Sequence, residues 1–197
     1  MKKCVSLVLV LILLLAGCGT PQPAAEDAVK EAFEAVKAMD QQTIQARFTE
    51  DPLGDGQSED VAAQQLVEHL SCQIVSCEQT ADTAVATLQI TNLDMQQVMD
   101  AYITAALEDL FTNLGAGIDE MSEEELDARY EQILQDILTG GEIDTVTSEV
   151  EINLTYTEEG GWVIETTDPL TDAMMGGLLS YVDQLDTAVG QSGLAVE

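Results

Sequence analysis

The residues with the clearest chemical potential are the single histidine and two cysteines close to it. His69, Cys72 and Cys77 have the spacing H-x2-C-x4-C. Three such donors could ligate a metal ion, and a thiol beside an imidazole could act as a nucleophile with its base. The local pattern favours a plainer interpretation, in which His69 ends a helix, partly exposed, and both cysteines pack in a strand. We therefore predict no catalytic residue, no metal site and no cofactor.

The same two cysteines raise the question of a disulfide. Both lie in the stretch CQIVSC, residues 72–77, which the sequence predicts to be extended. Five residues of a strand span about 16 Å, whereas a disulfide needs Cα atoms within about 7 Å. The strand therefore predicts two free thiols, even in a compartment where disulfides form.

A third cysteine, Cys18, follows a leader that is typical of export. Two lysines precede an apolar run over residues 5–15, which is shorter than the roughly 20 residues that span a bilayer as a helix. The stretch Leu15-Ala16-Gly17-Cys18 resembles the lipobox of bacterial lipoproteins. The resemblance implies cleavage before Cys18 and a diacylglyceryl group on its thiol, with fatty acids such as palmitate.

The leader defines the expected organisation of the chain. Residues 1–17 are the signal peptide and residues 18–25 a short tether. A single α+β domain is predicted over 26–190, with a tail at 191–197. Two acyl chains anchor a protein stably, so we expect it at the cell membrane, on the extracytoplasmic face.

The charge of the chain restricts its partners. It has 6 Lys and Arg against 37 Asp and Glu, a formal net charge of −31. Removal of the leader takes away Lys2 and Lys3 and no acidic residue, which lowers the charge to −33. Such a field repels phosphate backbones, so we expect no nucleic-acid partner. Solubility is the simplest interpretation, and a cationic partner, a protein partner or divalent cations are the alternatives.

Hydrophobic periodicity predicts the order α-α-β-β-(αα)-β-β-α. Helices are expected at 26–48 and 59–70, strands at 72–79 and 83–91, and a helical pair at 94–139. Strands at 146–156 and 162–167 and a final helix at 168–190 complete the chain. Successive antiparallel strands with helices beside them predict an α+β fold with a curved four-stranded sheet.

The first helix of the pair carries a wide apolar stripe. Adjacent positions such as 98/99, 102/103 and 110/111 are apolar, whereas a surface helix needs only one stripe of about 100°. We therefore expect contact on two sides. Either the pair is buried within the chain, or a hydrophobic ligand or partner covers part of it.

Two stretches carry a family resemblance: DTAVATLQIT and VEINLTYTEEGGWVIE. They are similar to small exported lipoproteins of the nuclear-transport-factor-two-like and cystatin-like superfamily. The resemblance covers about 26–92 and 145–167, and it implies a helix laid into a curved sheet. The superfamily includes enzymes and non-enzymes, so it implies no activity.

These observations leave two classes of function. The favoured one is a non-catalytic interaction or ligand-binding module, because the chain has one histidine and no Gly-x-Ser-x-Gly nucleophile motif. The alternative is an enzyme with its site in the sheet cavity. The candidate ligand-binding residues are Met95, Met99, Tyr102, Phe111, Tyr156 and Trp162.

Overall fold

Four antiparallel strands form one open sheet in the order β1-β2-β3-β4. The strands are β1 Ser71–Gln79, β2 Thr83–Leu93, β3 Thr145–Thr157 and β4 Gly161–Ile164. A computed structural model of the chain describes residues 23–54, 61–113, 121–140 and 143–192. The predicted α+β class and the four-stranded antiparallel sheet are confirmed.

Seven helices accompany the sheet within these ranges. Before the sheet come α1 Ala25–Lys37, α2 Gln41–Arg47 and α3 Val61–His69. The helical pair, α4 Met95–Asn113 and α5 Glu123–Gly140, lies between β2 and β3. After β4 come α6 Asp168–Met174 and α7 Leu178–Ser192. The insertion and the C-terminal helices therefore lie where the periodicity predicts them.

The core lies against one face of the sheet. Alternate residues of β2 and β3 point into it, because successive side chains of a strand point to opposite faces. Helices α1 and α6 cover this face with the apolar sides of their turns. The buried residues on the two strands are Ala84, Ala86, Leu88, Ile90, Val150, Ile152 and Leu154.

Two predicted helices are each broken in two. The prediction of one helix at 26–48 is wrong because Met39 has a left-handed backbone, φ 53°, between α1 and α2. The prediction of one helix at 168–190 is wrong because Gly176 and Gly177 have positive φ between α6 and α7. A left-handed residue cannot continue a right-handed helix, so the chain turns at both points.

The two helices of the pair start with different caps. At the start of α5, Ser122 and Glu125 form a capping box: the Glu125 amide donates to Ser122 Oγ at 3.3 Å, and the Ser122 amide donates to Glu125 Oε2 at 2.9 Å. At the start of α4, the Gln97 amide donates to Asp94 Oδ1 at 3.2 Å. The Gln97 side chain instead accepts from the Asp144 amide at 2.7 Å, which joins the two ends of the insertion.

A buried asparagine fixes the end of the sheet from which the pair extends. Asn92 is 1% exposed, and its amide group donates to the Met174 carbonyl at 2.5 Å. Its Oδ1 accepts from the Leu93 amide at 2.8 Å. A buried polar group is retained at low cost only when it is hydrogen-bonded, so this side chain ties the end of β2 to the end of α6.

Candidate functional site

The structure keeps the histidine and the two cysteines apart. His69 is exposed at the end of α3, and its Nδ1 lies 2.9 Å from the Gln65 carbonyl oxygen. Cys72 pairs with Ile90, and Cys77 with Ala86, which places the cysteines about 13 Å apart along the neighbouring strand. Both cysteines are free, as predicted. Within the described part of the chain, no group of three His, Cys, Asp or Glu side chains could hold a metal ion.

Native Cys72 is expected to react very slowly with an alkylating agent. Burial raises the pKa of its thiol to about 12. Burial and the charge of Glu26 raise the pKa of Cys77. Because the thiolate is the reactive form, iodoacetamide labelling of Cys72 at pH 8 should be at least about 100-fold slower than in the unfolded chain, with Cys77 between the two. Site-resolved mass spectrometry over a time course measures both rates, and labelling of both thiols in denaturant without reductant is the control. Native labelling of Cys72 at the unfolded rate would contradict its burial.

Two of the candidate ligand residues, Tyr156 and Trp162, form a cross-strand pair next to the turn of the β3–β4 hairpin. Trp162 is 1% exposed, and its ring lies edge-on to that of Tyr156 with centroids 5.2 Å apart. Its Nε1 donates to the Pro23 carbonyl at 2.8 Å. Trp162 therefore joins the chain at Pro23 to the β3–β4 hairpin, and Tyr156 packs against the Trp162 ring.

A second contact fixes the same segment. The amide of Ala25 donates to Gln79 Oε1 at 2.8 Å, at the end of β1. Pro23 and Ala25 are thus attached to β4 and β1. At the same end, Arg47 on α2 donates to the Gly160 carbonyl at 2.9 Å and pairs with Glu31 on α1. We call this the anchored end of the sheet.

The other four candidate residues lie on α4, and they do not share one environment. Met95 is buried, Met99 and Tyr102 are half-buried, and Phe111 is 69% exposed. Ile103 and Leu107 of the same stripe are also exposed. Of the two alternatives for this stripe, complete burial within the chain is therefore not what the structure has: Met95 and Val98 in the first turn of α4 are buried, and Ile103, Leu107 and Phe111 in the later turns are exposed.

An open groove lies between the two helices of the pair, on a different face of α4. Its volume is about 530 Å³. We call it the distal groove, and none of the six candidate ligand residues lines it. The sequence did not reveal this groove, because two alanines form most of its α4 wall, and a hydrophobic stripe is recognised from large apolar side chains. Its lining residues are Gln97, Ala101, Ala105, Ile133, Asp136, Ile137, Gly140 and Ile143.

The anchored end and the distal groove lie at opposite ends of the sheet. Thr83 at the start of β2 pairs with Thr155, next to Tyr156. Leu93 at the end of β2 pairs with Thr145, where the helical pair begins and ends. The ten steps between Thr83 and Leu93 correspond to about 34 Å of strand.

The helices around the distal groove carry almost only negative charge. Helices α4, α5 and α7 contain eleven acidic residues and one basic residue, Arg129. Arg129 donates to both carboxylate oxygens of Asp109, with Nε to Oδ2 at 2.5 Å, and this hydrogen bond lowers the pKa of Asp109. The one cation of these helices is therefore already engaged with a carboxylate.

Comparison with known proteins gives one match. No protein-family model and no curated protein matches the chain. Among solved structures, the chain is similar to a candidate lipoprotein, ycdA, from Bacillus subtilis subsp. subtilis str. 168, with 13% identity and a TM-score of 0.42. The match covers 79% of this chain and 47% of that one, so this chain spans about half its length. A likeness of this degree carries no conclusion about function, and the nuclear-transport-factor-two-like family stays a prediction. No helix in the described ranges is both long enough and apolar enough to cross a membrane.

Proposed function

We propose that this protein is an exported lipoprotein, anchored through Cys18 at the extracytoplasmic face of the cell membrane, where it acts as a non-catalytic binding module. The lipobox at residues 15–18 is the observation that carries the proposal. Small residues before a cysteine, an apolar run and a basic start agree in position. The folded domain supplies a binding surface and the lipid supplies the location.

The contacts of Pro23 support this proposal, because they hold the chain just after Cys18 against the folded domain. Five residue steps separate Cys18 from Pro23, and five extended residues reach at most about 18 Å. Because the Pro23 carbonyl accepts a hydrogen bond from Trp162, a lipid on Cys18 would hold the anchored end of the sheet close to the membrane. The distal groove would then face away from it.

The charge of the helical pair fits the same orientation. Helices α4 and α5 contain nine acidic residues and one basic residue, Arg129. Anionic lipid surfaces attract basic residues and repel acidic ones, so the acidic helical pair is better placed far from the bilayer.

Substitution Cys18→Ser is expected to abolish acylation. In cells fed an alkyne analogue of palmitate, the wild-type protein should carry the label and Cys18→Ser should fall to background, because serine lacks the thiol that accepts diacylglycerol. Mass spectrometry of the wild-type protein should find Cys18 as a modified N-terminus. Cys72→Ser is the matched control, since it removes a half-buried thiol of β1, and it should keep the label. A mature chain that begins at another residue, or an unmodified Cys18, would overturn the proposed function.

A further inference from the structure

We propose that the distal groove binds a basic amphipathic helix of a partner protein. The inference deepens the proposed function, on which it rests for the orientation of the groove. An amphipathic helix binds by laying its apolar side into a hydrophobic groove, with anchors about one turn apart. The groove offers such a surface, and the charge around it selects the partner.

The shape and lining of the groove fit one apolar helix face. Ala101 and Ala105 lie one turn apart on α4, and Ile133 and Ile137 lie one turn apart on α5. Small side chains on one wall admit close approach, and the isoleucines opposite supply apolar area. Ile133, Ile137 and Ala105 are only half-buried in the isolated chain, so a ligand would remove further apolar surface from water.

The position of the groove excludes two occupants. It lies about 34 Å along β2 from the anchored end, so a bilayer that holds Cys18 is not beside it. The tether before Pro23 is also too short to reach it. Pro23 is hydrogen-bonded to Trp162 at the other end of the sheet, and five extended residues reach at most about 18 Å. Neither the bilayer nor the segment before Pro23 is therefore the occupant, and we assign the groove to another molecule.

Charge decides what kind of molecule this is. Asp136 lies in the lining, and Glu108 lies one turn beyond Ala105 on the same side of α4 as the lining residues. Arg129 is occupied by Asp109. A second copy of this chain would bring acidic helices against acidic helices, which is repulsive. Lysine or arginine residues beside the apolar side of a partner helix would instead meet these carboxylates.

The test uses synthetic peptides and the purified mature protein in detergent. The probe is an 18-residue helix with leucine at positions spaced by three and four and lysine on both flanks. Two control peptides have the same leucines with glutamate flanks, or the same composition in scrambled order. We expect the basic amphipathic peptide to bind with a dissociation constant on the order of 10 μM, and each control peptide at least about tenfold more weakly. Added salt should weaken the binding.

A matched pair of variants separates groove binding from general attraction to an acidic protein. Ala105→Glu places a carboxylate in the groove, and Ala128→Glu places one on an exposed position of α5 that does not line it. Both add the same charge, which by itself favours a basic peptide. We expect Ala105→Glu to weaken binding at least about tenfold and Ala128→Glu to leave it unchanged. Ala101→Glu, at an exposed lining position, is a second groove variant should Ala105→Glu fail to fold.

Each other outcome overturns the inference. Equal binding of the peptide by both variants would mean attraction to the net charge alone. Self-association of the protein that Ala105→Glu abolishes would identify a second copy as the occupant. Binding of unlipidated Cys18→Ser protein to phosphatidylcholine or phosphatidylglycerol vesicles, lost in the groove variants, would identify a membrane. Peptide binding is independent of acylation, so failure of the lipid label and failure of the groove are separate results.

Discussion

Gly176→Ala is expected to destabilise the protein by about 3 kcal/mol or more, a large share of the stability of an ordinary domain. Gly176 joins α6 to α7 with φ 61°, and its carbonyl accepts from the Met95 amide at 3.1 Å. A Cβ atom at this position would lie 1.9 Å from the Leu93 carbonyl oxygen. The two atoms nearest to this Cβ, the carbonyl oxygen and carbon of Leu93, belong to the backbone, so the clash cannot be relieved by turning a side chain.

Gly177→Ala provides the matched control for this prediction. Gly177 also has positive φ, 84°, but a Cβ there meets no atom within 4 Å. Gly177→Ala should therefore lower the free energy of unfolding only by the cost of a left-handed alanine, about 1 kcal/mol. Thermal unfolding followed by the fluorescence of Trp162, the one tryptophan, measures both, with a difference in Tm on the order of 5 °C or more. Equal Tm values for the two variants would contradict the close approach of Gly176 to β2.

The strands were predictable because one face of the sheet is buried. In β2, the buried residues Ala84, Ala86, Leu88 and Ile90 alternate with more exposed ones, and a slip of one residue would move all of them to the wrong face. The same constraint predicted the free thiols. Once 72–77 is extended, Cys72 and Cys77 pair with separate residues of β2 and cannot meet.

The breaks in the helices were not predictable from periodicity. The apolar pattern continues through Gly176 and Gly177, so periodicity by itself predicts one helix, although a Gly-Gly pair is a common turn signal. What ends α6 is the approach of Gly176 to Leu93, a residue more than 80 positions earlier in the chain. Contacts of this kind depend on the tertiary structure, and no local pattern contains them.

The distal groove lies on an element that the sequence selected, α4, but on a different face from the predicted binding residues. Periodicity gives weight to large side chains, so it selected Met99, Tyr102 and Phe111 on α4. The groove lies beside Ala101 and Ala105, where the neighbouring α5 leaves space. The position of a groove depends on how two helices pack, and this packing is set by side chains on both of them.

The aromatic pair of the β3–β4 hairpin shows a different limit. The sequence places Tyr156 and Trp162 on opposite sides of a turn, where they can meet across the strands. Their partner Pro23 lies 139 residues before Trp162, in a segment that composition alone describes as a tether. Sequence analysis therefore could not identify the contact between the start of the domain and the sheet.

Trp162→Ala is expected to destabilise the protein by about 3–5 kcal/mol. The side chain is 1% exposed and packs edge-on against Tyr156, so its removal leaves a cavity in the core and removes the indole hydrogen bond to the Pro23 carbonyl. Trp162→Phe keeps an aromatic ring beside Tyr156 but lacks the indole N–H. It should therefore cost less, about 1–2 kcal/mol from the lost hydrogen bond and the smaller ring.

Circular dichroism during urea unfolding measures these changes, because the variants lack the tryptophan signal. Phe111→Ala is the aromatic control, since Phe111 is 69% exposed, and it should change the free energy of unfolding by less than about 0.5 kcal/mol. Trp162→Phe should also increase the susceptibility of the chain before Ala25 to protease, because Pro23 keeps only the 3.5 Å contact with Gln79 Nε2. Unchanged cleavage before Ala25 would mean that the indole does not hold the start of the domain. If Phe111→Ala lost as much unfolding free energy as Trp162→Ala, the assignment of Trp162 to the core and of Phe111 to the surface would be contradicted.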